Sequence, residues 1–246
     1  MKSISLLATD VRMMVPGCPD FLITHALTRA LAQFLDESEA WLEWGPTRNV
    51  SDIETAGVHS DRDGILTWSN HLDSLANNWV FVTRLKALKW VPTGQLVAFK
   101  TADQLQSWDS DWRNTTGAVP TFWTSEGEGS SGEIQIRVYP IMDTTVEGSY
   151  QFLPRFVLGT EVVAGIGLTA YDDQIPQIPD RIFNAFREGL VAGALSKLYM
   201  IPGRDWSEPK SAMLQSQAFA AHIATAKARA AREFGHTDSL VAYGGY

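Results

Sequence analysis

The acidic pairs Asp172-Asp173 and Asp109/Asp111 are the side chains best spaced to hold a divalent cation. Such a cation takes six or more oxygens. Two carboxylates on one polar loop supply too few of them, so solvated charge accounts for both pairs. A glycosidase would need two carboxyls fixed at a set separation across the bond it cleaves. Glu126, Glu128 and Glu133 are available, but they lie in "SEGEGSSGE", a run whose glycines and serines hold no fixed backbone geometry. The five histidines, His25, His59, His71, His222 and His236, show no HxxxH or similar ligand spacing. Cys18 stands between Gly17 and Pro19, just ahead of a helical pattern. A helix N-terminus can lower a thiol pKa and make a nucleophile, yet no CxxC or other cysteine signature accompanies it, and a small buried residue is the simpler reading. "GEGSSG" lacks the Lys-Ser/Thr of a phosphate loop, "GIGLT" fails the dinucleotide spacing, and GxSxG is absent. The sequence therefore assigns no catalytic, cofactor-binding or metal residue: no catalytic motif rises above background.

The elements that would position any site fall into three blocks. Residues 3–14 can form a short helix with Leu6, Leu7, Val11 and Met14 on one side. After the breaker "VPGCPD", Pro19 suits a first helical turn. From Asp20 to about Trp41, Ile23, Leu27, Ala30, Leu31, Phe34 and Leu35 recur at three- and four-residue steps. Beyond Gly45-Pro46 the chain turns rich in Trp, Val, Thr, Gly and Pro. Strands are expected in 80–85, 94–100, around "VPTFWTS", in "EIQIRVYP" and in "YQFLPRFVLGTEVV". A short helix capped by Thr101 carries Leu105 and Trp108 on one face. In "EIQIRVYP", Ile134, Ile136 and Val138 alternate with Gln135, Arg137 and Tyr139. After Asp180, a good N-cap, Ile182, Phe183, Phe186, Leu190, Ala194, Leu195 and Leu198 mark a helical stripe. Gly189 and Gly193 cost helix propensity there, which close approach of another helix would offset. Pro202-Gly203 stop that helix, Ser207 can cap the next, and an alanine-rich helix runs to about Phe234, making an αα-hairpin. Trp206 packs over the corner and needs an acceptor for its indole N–H.

The expected fold class is α+β: a helical bundle formed by the N- and C-terminal segments, with an inserted, mainly antiparallel β domain. The helical domain comprises 1–44 and 178–235, the β domain 45–177, and a C-terminal docking tail 236–246. Over 246 residues the net charge is −8, which excludes a general nucleic-acid binder, and the single cysteine excludes an intramolecular disulfide. No apolar run approaches the roughly 18 residues of a membrane span, and Asp10 and Arg12 interrupt the opening too soon for a signal peptide. The tail "HTDSLVAYGGY" is unusual in being apolar and aromatic, with Leu240, Val241, Tyr243 and Tyr246 beyond any helix that buries them. It is a candidate docking segment on another subunit, or folds back on its own domain.

Two stretches together resemble a known family. "LLATDVRMMVPGCPDFLITHALTRALAQFLDESEAW" is similar to the N-terminus of bacteriophage head-to-tail adaptor (connector) proteins, a group that includes proteins similar to the tail tubular protein A of short-tailed phages. "LVAGALSKLYMIPGRDWSEPKSAMLQSQAFAAHIATAKARAAREFG" resembles their C-terminal helical hairpin. The resemblance covers the two ends of the chain, and the middle is only loosely similar in kind. It implies a structural virion protein without cofactor or enzymatic activity, located in the neck between head and tail and in the host cytoplasm during assembly. Such adaptors form a homo-oligomeric ring, usually of twelve copies, between the portal protein and a tail or nozzle protein, with double-stranded DNA passing through the channel. The resemblance implies portal docking through the C-terminal segment, here Arg229, Arg232, Phe234, Leu240, Val241, Tyr243 and Tyr246. Glu126, Gly127, Glu128, Gly129, Ser130 and Ser131 are then candidates for a tail-facing loop. A carboxylate-lined channel would let DNA slide by repelling phosphates. The alternatives are another head-completion or tail component, a stopper or terminator, and a cell-wall-acting hydrolase.

Overall fold

The structure is a computed structural model that describes residues 1–45, 47–49, 65–68, 80–128, 134–142, 151–160 and 176–234. In chain order its elements are β1 (Lys2–Ser3), α1 (Ala8–Met14), α2 (Asp20–Ser38), β2 (Leu42–Trp44), β3 (Arg48–Asn49), β4 (Ile65–Trp68), β5 (Val80–Trp90), β6 (Gln95–Phe99), α3 (Ala102–Trp108), β7 (Thr116–Gly117), β8 (Phe122–Glu128), β9 (Ile134–Tyr139), β10 (Ile141–Met142), β11 (Gln151–Thr160), β12 (Gln177–Ile178), α4 (Asp180–Tyr199) and α5 (Pro209–Phe234). The mixture of helix and sheet is α+β. The chain divides into two compact units. Among the described residues the first holds 1–41, 80–81, 158–160 and 176–234, and the second holds 42–45, 47–49, 65–68, 82–128, 134–142 and 151–157.

In the first unit, α2 buries Ile23, Leu27, Ala30, Leu31, Phe34 and Leu35. Burying each Leu, Ile or Phe contributes about 1.5–3 kcal/mol. The helix stops at Ser38, short of Trp41, because Glu39 adopts a left-handed φ of 53° while its N–H still bonds the Leu35 carbonyl. Trp41 lies outside the helix and is fully buried. Ahead of α1, a 3-10 turn over Ile4–Leu7 resets the register. The buried residues are accordingly Ile4, Leu7, Val11 and Val15, whereas Leu6 and Met14, expected inside, are 59% and 54% exposed. β1 pairs antiparallel with β12, Lys2 opposite Ile178, and Arg187 donates two hydrogen bonds to Asp10 at 2.8 Å, fastening α1 to α4.

Helices α2, α4 and α5 pack on one another. The register is antiparallel between α4 and α5: a Cβ on Gly189 would stand 2.6 Å from His222 Cβ, and one on Gly193 would stand 2.8 Å from the Phe219 ring and 3.0 Å from Ala30 Cβ. The missing side chains let the three helices approach. Phe34 meets Phe186 with ring centroids 5.1 Å apart, at the point where α4 leaves helical geometry (φ −124°, ψ 19° at Phe186). Pro179, not Asp180, occupies the α4 N-cap position, and Asp180 is the first helical residue. At the α4–α5 corner Gly203 takes φ 71°, the conformation that only glycine adopts without cost. Ser207 does not cap α5 as expected. Its hydroxyl turns back to donate to the Tyr199 carbonyl at 3.5 Å, and the Glu208 N–H bonds the same carbonyl at 3.1 Å. These donors satisfy the end of α4, whose last carbonyls have no partner within the helix.

The second unit is built on a mixed sheet of order β2-β11-β5-β6-β8-β9-β4, with β3 also on β11. Most of its joins are antiparallel, but β6 and β8 run parallel. A parallel pair needs a crossover of a dozen or more residues, and α3 lies in that connection. Thr101 and Gln104 close a capping box at its start. Leu105 is buried as expected, but Trp108 is 63% exposed, and the tryptophan that is buried is Trp112. The chain turns after α3 and brings Trp112 back, its indole N–H donating to Gln106 Oε1 at 3.1 Å. Strand β9 is covered on both faces. Ile136 and Val138 are buried, and so is Arg137, expected on the open face, which pairs with Glu126 at 2.6 Å. A partner of opposite charge is what makes burial of a guanidinium tolerable.

Candidate interaction surfaces

The helical register brings the start of α2, the end of α1, the end of α4 and the start of α5 to one end of the first unit. Tyr199 donates from its hydroxyl to the Met14 carbonyl at 3.4 Å, and Arg12 donates to Asp20 at 2.6 Å. At this end Met13, Met14, Phe21, Met200, Met213 and Leu214 are each at least half exposed, Met13 most at 72%. One-residue hydrophobic exposures are ordinary; a cluster of this kind is what interaction sites look like. The surface continues along α5. From Ser211 to Ala226 the helix carries no Asp, Glu, Lys or Arg. Its inner side buries Ala212, Phe219, Ile223 and Ala226, while Gln217, Ala218, Ala221 and Ala224 are exposed. Solvated helix faces normally carry charge. Trp206 is half-buried at this corner, and its Nε1 is buried with no acceptor among the described residues, contrary to the sequence expectation.

At the other end of α5 lies a dimple of about 30 Å³ between the end of α2, the first turns of α4 and the last turns of α5. Ala40, Ile182, Phe186, Ala226 and Ala230 line it together with Arg181 and Arg229. The volume fits a single water or a methyl group, far below the several hundred Å³ of a small-molecule site.

In the second unit, Trp108 and Phe122 meet edge-to-face at 5.2 Å, and the Lys100 ammonium lies 5.0 Å from the Trp108 centroid and 5.8 Å from that of Phe122. The ammonium covers the ring it would otherwise leave open to a ligand. Beside them, Asp109 accepts from Thr115 Oγ1 at 2.5 Å, from the Asp111 N–H at 2.9 Å and from Tyr139 at 3.3 Å. These bonds, the Thr115 one above all, hold its carboxyl below the usual carboxylate range.

Several sequence candidates have definite places. Glu126, Gly127 and Glu128 do not lie in a loop tip: they are the last three residues of β8, where Gly127 pairs with Gln135 and Glu128 with Ile134. The backbone ladder extends through the glycine because β9 supplies its partners, with a register shift between Ser125 and Gly127. Gly129, Ser130 and Ser131 lie outside the described residues, as do Asp172, Asp173, Glu133, His59, His71 and His236. Arg229 and Arg232 are exposed on the last turns of α5, and Phe234 ends that helix. Leu240, Val241, Tyr243 and Tyr246 fall outside the described residues. Cys18 is buried, 6% exposed, and desolvation, helped by Asp20, pushes its thiol pKa up, the opposite of an activated nucleophile. Among the described residues no three His, Cys, Asp or Glu side chains gather as a metal site would require, and no helix is long and apolar enough to cross a membrane.

The exposed apolar end escaped sequence reasoning. Met14 is expected on the apolar side of the first helix, and Met13, Met213 and Leu214 carry no sequence signal that sets them apart; it is the packing of four elements that brings these exposed residues to one end. No protein-family model matches the chain, and no curated protein matches it.

Proposed function

We propose that the chain is a ring-forming structural adaptor between the portal and the tail of a bacteriophage, with DNA passing through the ring. In this reading the helices drawn from the two ends of the chain form one ring-building bundle, and the inserted, mainly antiparallel β domain faces the tail. The observation that carries it is the exposed apolar end of the first unit together with the uncharged outer face of α5. Six large hydrophobic side chains left at least half exposed lose free energy in water that a neighbouring subunit would recover, at roughly 25 cal/mol per Å² covered. The resemblance of both chain ends to head-to-tail adaptors supplies the kind of assembly. A stopper or tail terminator is the alternative within the same class.

The hydrolase alternative gains nothing from the carboxylates in view. Glu126 is held by Arg137, and Asp109 is shifted down, away from the range of a general acid.

The test is sedimentation and negative-stain imaging of the full chain, alone and mixed with portal rings. Rings, or portal-bound chain in ring stoichiometry, are expected. The double substitution Met213→Glu, Leu214→Glu should abolish them while leaving the melting temperature within about 1–2 °C, since both side chains point to solvent. A wild-type chain that stays monomeric in both settings, or that cleaves cell-wall glycan, would sink the reading.

A further inference from the structure

We infer that the ring is built head to tail: the outer face of α5 in one copy packs on the outer face of α1 in the next, with Leu214 beside Met13 and Leu6 against Ala221. This contact presupposes the ring reading and names the two surfaces that build it. The two faces point in opposite directions. Gly189 of α4 faces α5, where an added Cβ would stand 2.6 Å from His222 Cβ. Arg187, which bonds Asp10 of α1, comes two residues earlier and so lies about 200° round the same helix. α1 and α5 therefore flank α4 on opposite sides. A second copy that covers α5 with its own α1 leaves a fresh α5 face for a third. Such unlike-face contacts make rings when the rotation closes.

The faces also match in texture and in level. Leu6, in the turn before α1, and Met13 are seven residues apart, two helical turns, and both are exposed. The two charged residues of α1 are engaged within the chain, Asp10 by Arg187 and Arg12 by Asp20. On α5, Leu214, Ala218, Ala221 and Thr225 recur on the exposed side at steps of four, three and four, in the segment free of Asp, Glu, Lys and Arg. Large side chains thus meet small ones, and no unpaired charge loses its water. Gly193 of α4 meets Phe219 of α5. In that antiparallel pair Tyr199, six residues on, is level with Met213, six residues back. The Tyr199 hydroxyl bonds the Met14 carbonyl, so the end of α1 stands at this level too. Leu6 and Ala221 each lie seven residues, about 10 Å, further along. A neighbour reached by rotation without rise brings both pairs together. The uncharged stretch of α5 measures about 24 Å by 10 Å, short of the roughly 800 Å² per partner of a stable two-chain interface. A ring uses both faces of every copy and doubles the contact per chain.

The experiment is thiol cross-linking of the full chain with a short bismaleimide, alone and mixed with portal rings. Cys18 is buried and stays silent. Met13→Cys and Leu214→Cys are prepared separately, and at these exposed sites each should melt within about 1–2 °C of wild type. Neither alone should cross-link above background, whereas their mixture should give covalent dimer. A chain with both substitutions should give a ladder of multimers. As a second measurement, Met13→Lys and Leu214→Glu should each weaken assembly about tenfold or more, the factor that burying one such side chain is worth. The chain carrying both should recover it. Dimers from one variant alone, as abundant as from the mixture, would show a two-fold contact and overturn the inference. So would an absent mixed cross-link. In that event wild-type rings in negative stain leave the adaptor reading standing on another surface, and a wild-type chain that stays monomeric sinks both.

Discussion

Asp109 shows how much local geometry hides behind a residue type. The sequence offers it as one of two nearby acids, and the structure makes it the acceptor for Thr115, the Asp111 N–H and Tyr139. These bonds favour the ionised form, so the folded-state pKa falls below that of the unfolded chain. Stability from this group is therefore fully present above the ordinary aspartate value near 4 and is lost as pH drops through the depressed folded value. Asp109→Asn should lower the melting temperature at pH 7, with the gap to wild type closing as pH falls below about 4; a constant gap across pH would refute the assignment. Tyr139 moves the other way, its phenol pKa raised by desolvation and by the Asp109 charge. None of this was legible in the sequence, because Asp109, Thr115 and Tyr139 meet only after a turn and a strand return.

Among elements, the helices were legible and their relations partly so. The three- and four-residue steps of α2 and α4 mark their buried faces, since burial of a stripe is what creates the periodicity. Gly189 and Gly193 also pointed correctly to a tight helix approach. Gly193→Ala tests it: the added carbon would stand 2.8 Å from the Phe219 ring and 3.0 Å from Ala30 Cβ, both buried. Overpacking costs about 1–3 kcal/mol, against about 1 kcal/mol gained in helix propensity. Contacts this close fall in the upper half of that range, so a net loss of about 1–2 kcal/mol remains and the variant should melt lower by roughly 2–8 °C; an unchanged or higher melting temperature would show that α4 and α5 do not approach there. Where the sequence misled, a specific event reset the pattern. The 3-10 turn before α1 exposed Leu6 and Met14, the turns after α3 exchanged Trp112 for Trp108 as the buried ring, and the Glu126 pair put Arg137 inside. Strand alternation cannot reveal a buried charge, because the partner that permits it lies on another strand.

At the scale of the molecule, the net charge of −8 makes a prediction independent of any interface. Duplex DNA binding strengthens as salt falls when cations contact phosphate. The full chain should therefore show no retention of duplex DNA in filter binding even at low ionic strength; retention that grows as salt is removed would reveal a basic surface and argue against a channel that DNA merely traverses. A further consequence follows from the packing of α2 against α4. The ribosome completes α2 at Ser38 and does not begin α4 until Asp180. At roughly 5–20 residues per second, Leu27, Leu31 and Phe34 await their mates for on the order of ten seconds. During synthesis the nascent chain thus carries a sticky stripe with no native cover, and production of this protein in a cell deprived of its nascent-chain holdases should shift it toward inclusion bodies.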